Sequence, residues 1–234
     1  MPDTNPRLQI VSEDTLRLEF SGAAGPELLA TICAARDALV AHFPDQLIEV
    51  LPSYTTITLV VDFPNIYPQQ LLAPIANILR DLDSKPRAIG SNAALEIPVY
   101  YGPEVALDLD DIARRKSLSR DEIIRLHSGV EYRVYALGFS PGFAFLGFVN
   151  ETLSCPRHSS PRANVAAGSV GIADRQTGIY PLDSPGGWNI VGRTPIAMFH
   201  PQQTPENMCP LKVGDAVKFV SVEREEFIRL GGTL

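Results

Sequence analysis

The chain has 234 residues, 45% of them hydrophobic and 20% charged, with a formal net charge of −7. This length and balance suit a soluble protein with one large core or two small ones, and the acidity excludes a broad nucleic-acid surface, which needs clustered Lys and Arg. No apolar run could span a bilayer, the first six residues lack a signal-peptide pattern, and Cys33, Cys155 and Cys209 form no C-x-x-C pair, so free thiols in a reducing cytoplasm are expected.

Thr15 to Phe20 alternates with period two, as a half-buried strand does. Pro26 to His42 reads as a helix, with Leu28, Leu29, Ile32, Leu39 and Val40 on or near one face and Pro26 in its first turn. Leu47 to Leu51 and Thr55 to Val61 read as strands joined through Pro52-Ser53 as a hairpin. Gln69 to Asp83 is a second helix, with Pro74 arguing for a later start. The order strand, helix, strand, strand, helix predicts an α+β domain with a ferredoxin-like pattern over residues 1–92.

A second domain is predicted over residues 93–234. It opens with a strand, Leu95 to Tyr101, and two short helices, Asp108 to Lys116 and Arg120 to His127. Ser119 and Glu122 have the spacing of a capping box, in which each side chain satisfies a free backbone N–H of the other. From Val130 onward short β-rich runs alternate with Gly and Pro turns, which predicts a barrel or sandwich.

The segment from Gly138 to Arg193 concentrates the unusual chemistry. It holds nine of the 17 glycines: Gly138, Gly142, Gly147, Gly168, Gly171, Gly178, Gly186, Gly187 and Gly192. Its charges are four arginines (Arg157, Arg162, Arg175, Arg193) against Glu151, Asp174 and Asp183, with no lysine. Such a surface suits a carboxylate or phosphate ligand, because guanidinium binds these bidentately. A turn-rich barrel with merely solvated arginines is the alternative. Likewise Pro156-Arg157 and Pro161-Arg162 either clamp an anion or fix their loop through carbonyls and carboxylates.

Several sharper readings fail on chemistry. Gly138-Phe139-Ser140-Pro141-Gly142 matches G-x-S-x-G, but the oxyanion hole of that motif needs an N–H where Pro141 has none. Cys155 and His158 are close in chain, yet Pro156 and the turn after it disfavour a catalytic pair. The four histidines are scattered without a metal-ligand spacing, and no phosphate loop or dinucleotide fingerprint is present. Asp174 and Asp183 sit among turn residues, and the single Trp188 is open to a core, stacking or interface role.

Gly138-Phe139, Pro141-Gly142-Phe143, the two Pro-Arg pairs and Ala167-Gly168-Ser169-Val170-Gly171-Ile172 come in a familiar order. Gln176-Thr177-Gly178-Ile179-Tyr180-Pro181, Ser184-Pro185-Gly186-Gly187-Trp188 and Gly192-Arg193-Thr194-Pro195 complete it. This set resembles the KipI/PxpB family, also called the allophanate hydrolase subunit 1 family, with looser likeness from Leu126-His127-Ser128 to Phe219. The sequence departs from the pattern at Ala166, where proline is commoner, and at Phe145, where tyrosine is usual.

The resemblance implies an α+β domain followed by a cyclophilin-like β-barrel and a partner of the PxpC/KipA type. With a PxpA-type subunit such a pair converts 5-oxoproline to glutamate using ATP, with Mg, in a site shared with the partner. Arg157, Arg162 and Arg193 are then the expected anion holders. Gly138, Phe139, Pro141, Gly142, Phe143, Gly168, Ser169, Gln176, Thr177, Tyr180, Pro185, Gly186, Gly187 and Trp188 form the expected substrate or partner surface. No metal site of the chain's own is expected. Other readings within the resemblance are an inhibitor of a histidine kinase, or a carboxyltransferase subunit of a urea carboxylase-like system.

Overall fold

In a computed structural model, residues 6–82 and 93–234 are described. The chain divides into two compact units, Met1–Ser91 and Asn92–Leu234. The boundary expected at 92/93 and the helix end expected at Asp83 lie outside or at the edge of the described residues. No helix among the described residues is long and apolar enough to cross a membrane.

The first unit is a four-stranded antiparallel sheet, order β1-β2-β4-β3, built from β1 (Arg7–Ile10), β2 (Thr15–Glu19), β3 (Leu47–Ser53) and β4 (Thr56–Val61). Helices α1 (Pro26–His42) and α2 (Pro68–Asp81) complete the layer. Period-two alternation puts Leu16, Leu18, Ile57, Leu59 and Val61 into the core, where they meet Leu28, Ile32 and Leu39 of α1 and Leu71, Ile75 and Leu79 of α2. Helix α2 starts at Pro68 rather than later. Tyr67 N–H donates to the Gln70 side chain at 2.8 Å, and burial of its apolar stripe tolerates Pro74 inside the helix. The closing strand that a ferredoxin-like pattern places after α2 is not among the described residues; β1, from the N-terminal hairpin, takes the edge beside β2.

The second unit wraps seven strands in the order β12-β9-β10-β7-β6-β13-β5. These are β5 (Leu95–Val99), β6 (Glu131–Leu137), β7 (Ala144–Gly147), β9 (Ser169–Ala173), β10 (Gln176–Ile179), β12 (Asn189–Arg193) and β13 (Ala216–Ser221). Only the pair β13–β5 is parallel, so the sheet is mixed. A reciprocal backbone bridge brings its two edges together: Tyr100 N–H to Arg193 O at 2.8 Å and Arg193 N–H to Tyr100 O at 2.9 Å. The result is a nearly closed barrel. Gly192 permits that seam, since a Cβ there would press on Val99 and the Tyr100 carbonyl. A separate ribbon pairs β8 (Arg162–Val165) with β11 (Ser184–Gly186).

Helices α3 (Leu109–Lys116) and α4 (Arg120–Ser128) lie between β5 and β6, and α5 (Arg224–Arg229) follows β13. The capping box at Ser119 and Glu122 forms as the spacing predicts, with Glu122 N–H to Ser119 Oγ at 3.2 Å and Ser119 N–H to Glu122 Oε2 at 2.8 Å. Helix α4 thereby presents His127, which is fully buried and stacked on Phe219 with centroids 4.8 Å apart. Thr177 Oγ1 donates its one proton to Gly171 O at 3.0 Å, so it accepts from His127 Nε2–H at 2.9 Å, and Tyr101 O–H donates to Nδ1 at 2.8 Å. The network holds one neutral tautomer.

Burial drives the His127 pKa from 6.5 down to about 3. The unfolded chain takes up this proton at higher pH than the folded chain, so stability should fall as pH drops from about 6.5 toward about 3. Thermal midpoints at pH 7 and pH 5 should therefore differ more for the wild type than for His127→Gln, which has no proton to take up there.

Candidate functional site

The turn between β6 and β7 is tied by Gly138 N–H to Phe143 O at 3.1 Å and Phe143 N–H to Ser140 O at 3.0 Å. Within it Phe139 stands at φ 71°, a left-handed conformation that is unfavourable for a bulky residue, and is 67% exposed. Pro141 is also exposed, while Phe143 is buried. The Phe139 ring lies edge-on to Phe143 at 5.4 Å and to Tyr180 at 6.5 Å. Behind it Phe143 meets Tyr180 and Trp188 at near-right angles, with Phe145 alongside. Gly186 is needed here because an added Cβ would collide with the Tyr180 hydroxyl. Ser140 Oγ is buried with no hydrogen-bond partner, so nothing activates it as a nucleophile.

The three arginines expected to hold an anion have different surroundings. Arg162 makes a bidentate pair with Asp108, Nη1–Oδ2 2.9 Å and Nη2–Oδ1 2.7 Å. Asp108, only 4% exposed, also accepts from Ile190 N–H at 2.6 Å. Burial by itself would raise its carboxyl pKa; the Arg162 bonds, the Ile190 N–H and nearby His158 outweigh it and hold the group below the usual carboxylate range. Arg162 is therefore corrected from ligand holder to structural ion pair. Arg193 donates through Nη1 to Thr233 O at 3.0 Å, next to the seam that its backbone closes. Its charge is partly desolvated, which Asp183 offsets in part, and its Nε is buried without a hydrogen-bond partner among the described residues, so only one arm of its fork is engaged within the chain.

Arg157 differs. It is exposed, has no carboxylate partner among the described residues, and lies over the Trp188 ring at 5.7 Å from the centroid. Burial raises the Tyr180 phenol pKa, opposed by a backbone hydrogen bond to Trp188 and by the guanidinium groups of Arg157 and Arg162. One free guanidinium on an aromatic wall is chemistry for a small anionic group such as a carboxylate.

The remaining expected surface residues separate into groups. Pro185 is exposed on β11 and Gly138 on the turn, whereas Trp188 and Tyr180 form the wall behind Arg157. Gly142 and Gly168 take positive φ at turns, and Gly187 accepts the His158 N–H through its carbonyl. Ser169 is buried in β9 and Thr177 faces His127, so both serve the barrel rather than its surface. Gln176 is half-buried at the start of β10. Cys155 is buried, with its thiol pKa pushed up to about 11, which suits an inert side chain. His158 turns toward Asp108, its Nε2 3.2 Å from Oδ1 but off the line of a hydrogen bond. Asp183 accepts from Ala167 N–H at 2.8 Å, tying two separate bends of the chain together rather than closing its own turn. Among the described residues no three His, Cys, Asp or Glu side chains are placed to hold a metal ion.

Sequence reasoning missed Asp108 and Asn189. Asn189 is fully buried, donating from Nδ2 to Pro156 O at 2.9 Å and Ile172 O at 3.1 Å while Oδ1 accepts from Arg115 Nη2 at 2.8 Å. Asp108 stood only as a helix start, and its partners lie 54 and 82 residues away, so no local spacing announced them.

Replacing Asp108 by Ala should cost on the order of 3 kcal/mol in urea unfolding, because Arg162 and the Ile190 N–H lose their partner. The Asp108 pair stabilises above the usual carboxylate pKa and is lost as pH falls through the lowered folded value. A cycle with Arg162→Ala should show strong coupling that weakens in acid.

The carboxyltransferase domain, subdomain C and D, family model matches residues 6–210. Three bacterial proteins, each named as the B subunit of 5-oxoprolinase, are 38–47% identical to the chain. The one from Bacillus subtilis (strain 168) is 39% identical over 215 residues, covering 87% of this chain and 89% of its own. Among solved structures, TTHA0988 is 35% identical with a TM-score of 0.77 over 91% of this chain, which spans 40% of that longer one. The urea amidolyase of Kluyveromyces lactis, 18% identical with a TM-score of 0.76 over 97% of this chain and 15% of its own, shares the fold. This chain belongs to the carboxyltransferase domain C and D family and, within it, to the KipI/PxpB proteins.

Proposed function

We propose that the chain is the PxpB-type component of a heteromeric, ATP-dependent 5-oxoprolinase that opens 5-oxoproline to L-glutamate with PxpC- and PxpA-type partners. The likeness to the Bacillus subtilis 5-oxoprolinase component over most of both chains carries this reading. We read the barrel as the cyclophilin-like domain of that family and the α+β unit as a domain of its own.

Opening the lactam breaks its C–N bond, adds water oxygen to the carbonyl carbon and leaves the nitrogen as an amine. Arg157 holds the substrate carboxylate in front of the Trp188–Tyr180 cluster, orienting the ring, and its guanidinium supplies the positive charge that the carboxylate meets. A triphosphate with Mg would need several converging donors and clustered carboxylates. The described residues do not fit that requirement, so we assign ATP binding and the water-activating base to the partner subunits.

In the co-expressed complex, ATP-dependent glutamate release from oxoproline should be measurable. Arg157→Ala should lower kcat/KM by about a hundredfold while the complex still assembles, with partial recovery in Arg157→Lys. Absence of turnover by the intact wild-type complex would sink the assignment, and wild-type activity in Arg157→Ala would sink the anion site alone.

A further inference from the structure

We propose that Asn189 is the positioning residue of the Arg157 site and that Arg115, on α3, holds the Asn189 side chain in its working orientation. This rests on the reading of Arg157 as the anion holder. A cation–π contact of an exposed arginine is weak by itself, so the register of the two segments decides whether Arg157 meets Trp188 at all. Both flanks of Arg157 are tied to both flanks of Trp188. On one side Asn189 Nδ2 donates to Pro156 O at 2.9 Å, and on the other His158 N–H donates to Gly187 O at 2.8 Å.

Of these two tethers only the Asn189 one depends on a side chain. Its amide has a single sensible orientation, because the Pro156 and Ile172 carbonyls require donors and the Arg115 guanidinium requires an acceptor. Arg115 is in turn fixed by Asp111, Nε–Oδ2 2.9 Å. Thus α3 sets Arg115, Arg115 sets the Asn189 amide, and the amide sets the peptide entering Arg157. A buried residue so fully satisfied is costly to perturb, and here the perturbation falls on the ligand-facing loop.

Trp188 is the single tryptophan of the chain, so its emission reports on Arg157 directly. Arg115→Met and Asn189→Asp should each move the emission of the isolated chain toward that of Arg157→Ala. In the complete complex both should raise KM for oxoproline about tenfold with kcat changed less than about twofold, and Arg115→Lys, which keeps a donor, should stay near wild type. Arg115 is half-exposed, so Arg115→Met remains a test if Asn189→Asp fails to fold. Wild-type emission and KM in folded Arg115→Met would overturn the proposal. A wild-type complex inactive on oxoproline would instead defeat the proposed function, while the emission series would still decide the positioning.

Discussion

The Asp108 carboxylate is the point on which the barrel's outer face depends. Its backbone N–H donates to Ile190 O at 2.8 Å, its carboxylate accepts the Ile190 N–H, and Arg162 closes on it bidentately. The start of α3, the start of β12 and the start of β8 are thereby held at one desolvated charge. Charge-assisted bonds are strong in such surroundings, and an unpaired buried carboxylate would be expensive, so the three elements keep their places together. The loop that carries Arg157 ends at Arg162. Its geometry therefore inherits the stability of this pair.

With that frame in place, chemically identical side chains acquire different roles. Arg162 is consumed by Asp108, Arg193 reaches the Thr233 carbonyl at the seam through one arm, and Arg157 is left with an aromatic face and open solvent. Burial makes the difference between Arg162 and Arg157: beside a buried carboxylate a guanidinium spends its donors inside the protein, while an exposed one keeps them for a ligand. The aromatic residues divide in the same way. Phe143, Tyr180 and Trp188 pack into a common cluster, and only Phe139 is pushed outward by a left-handed backbone.

The polar chain through Tyr101, His127, Thr177 and Gly171 is a separate device. It satisfies every polar group that α4 brings inside and keeps the imidazole neutral, with its charged form suppressed by burial. Neither the sequence pattern nor the family resemblance singled out that chain, because Thr177 was read as surface and His127 only as part of a looser likeness.

Much of the local structure was legible in the residues themselves. Pro26 and an apolar stripe mark α1, Ser119 and Glu122 mark the start of α4, and alternation marks β2 and β4. These are signals confined to a few residues, where periodicity and capping act. Gly-rich, arginine-only composition likewise pointed to the segment from Gly138 to Arg193. What the sequence could not decide was which arginine stays free, which glycine admits a seam, and that β1 rather than a later strand lies beside β2. Those outcomes depend on pairs such as Asp108 with Arg162 and Ile190, 54 and 82 residues apart, whose energy exists only once the barrel closes and removes the water between them.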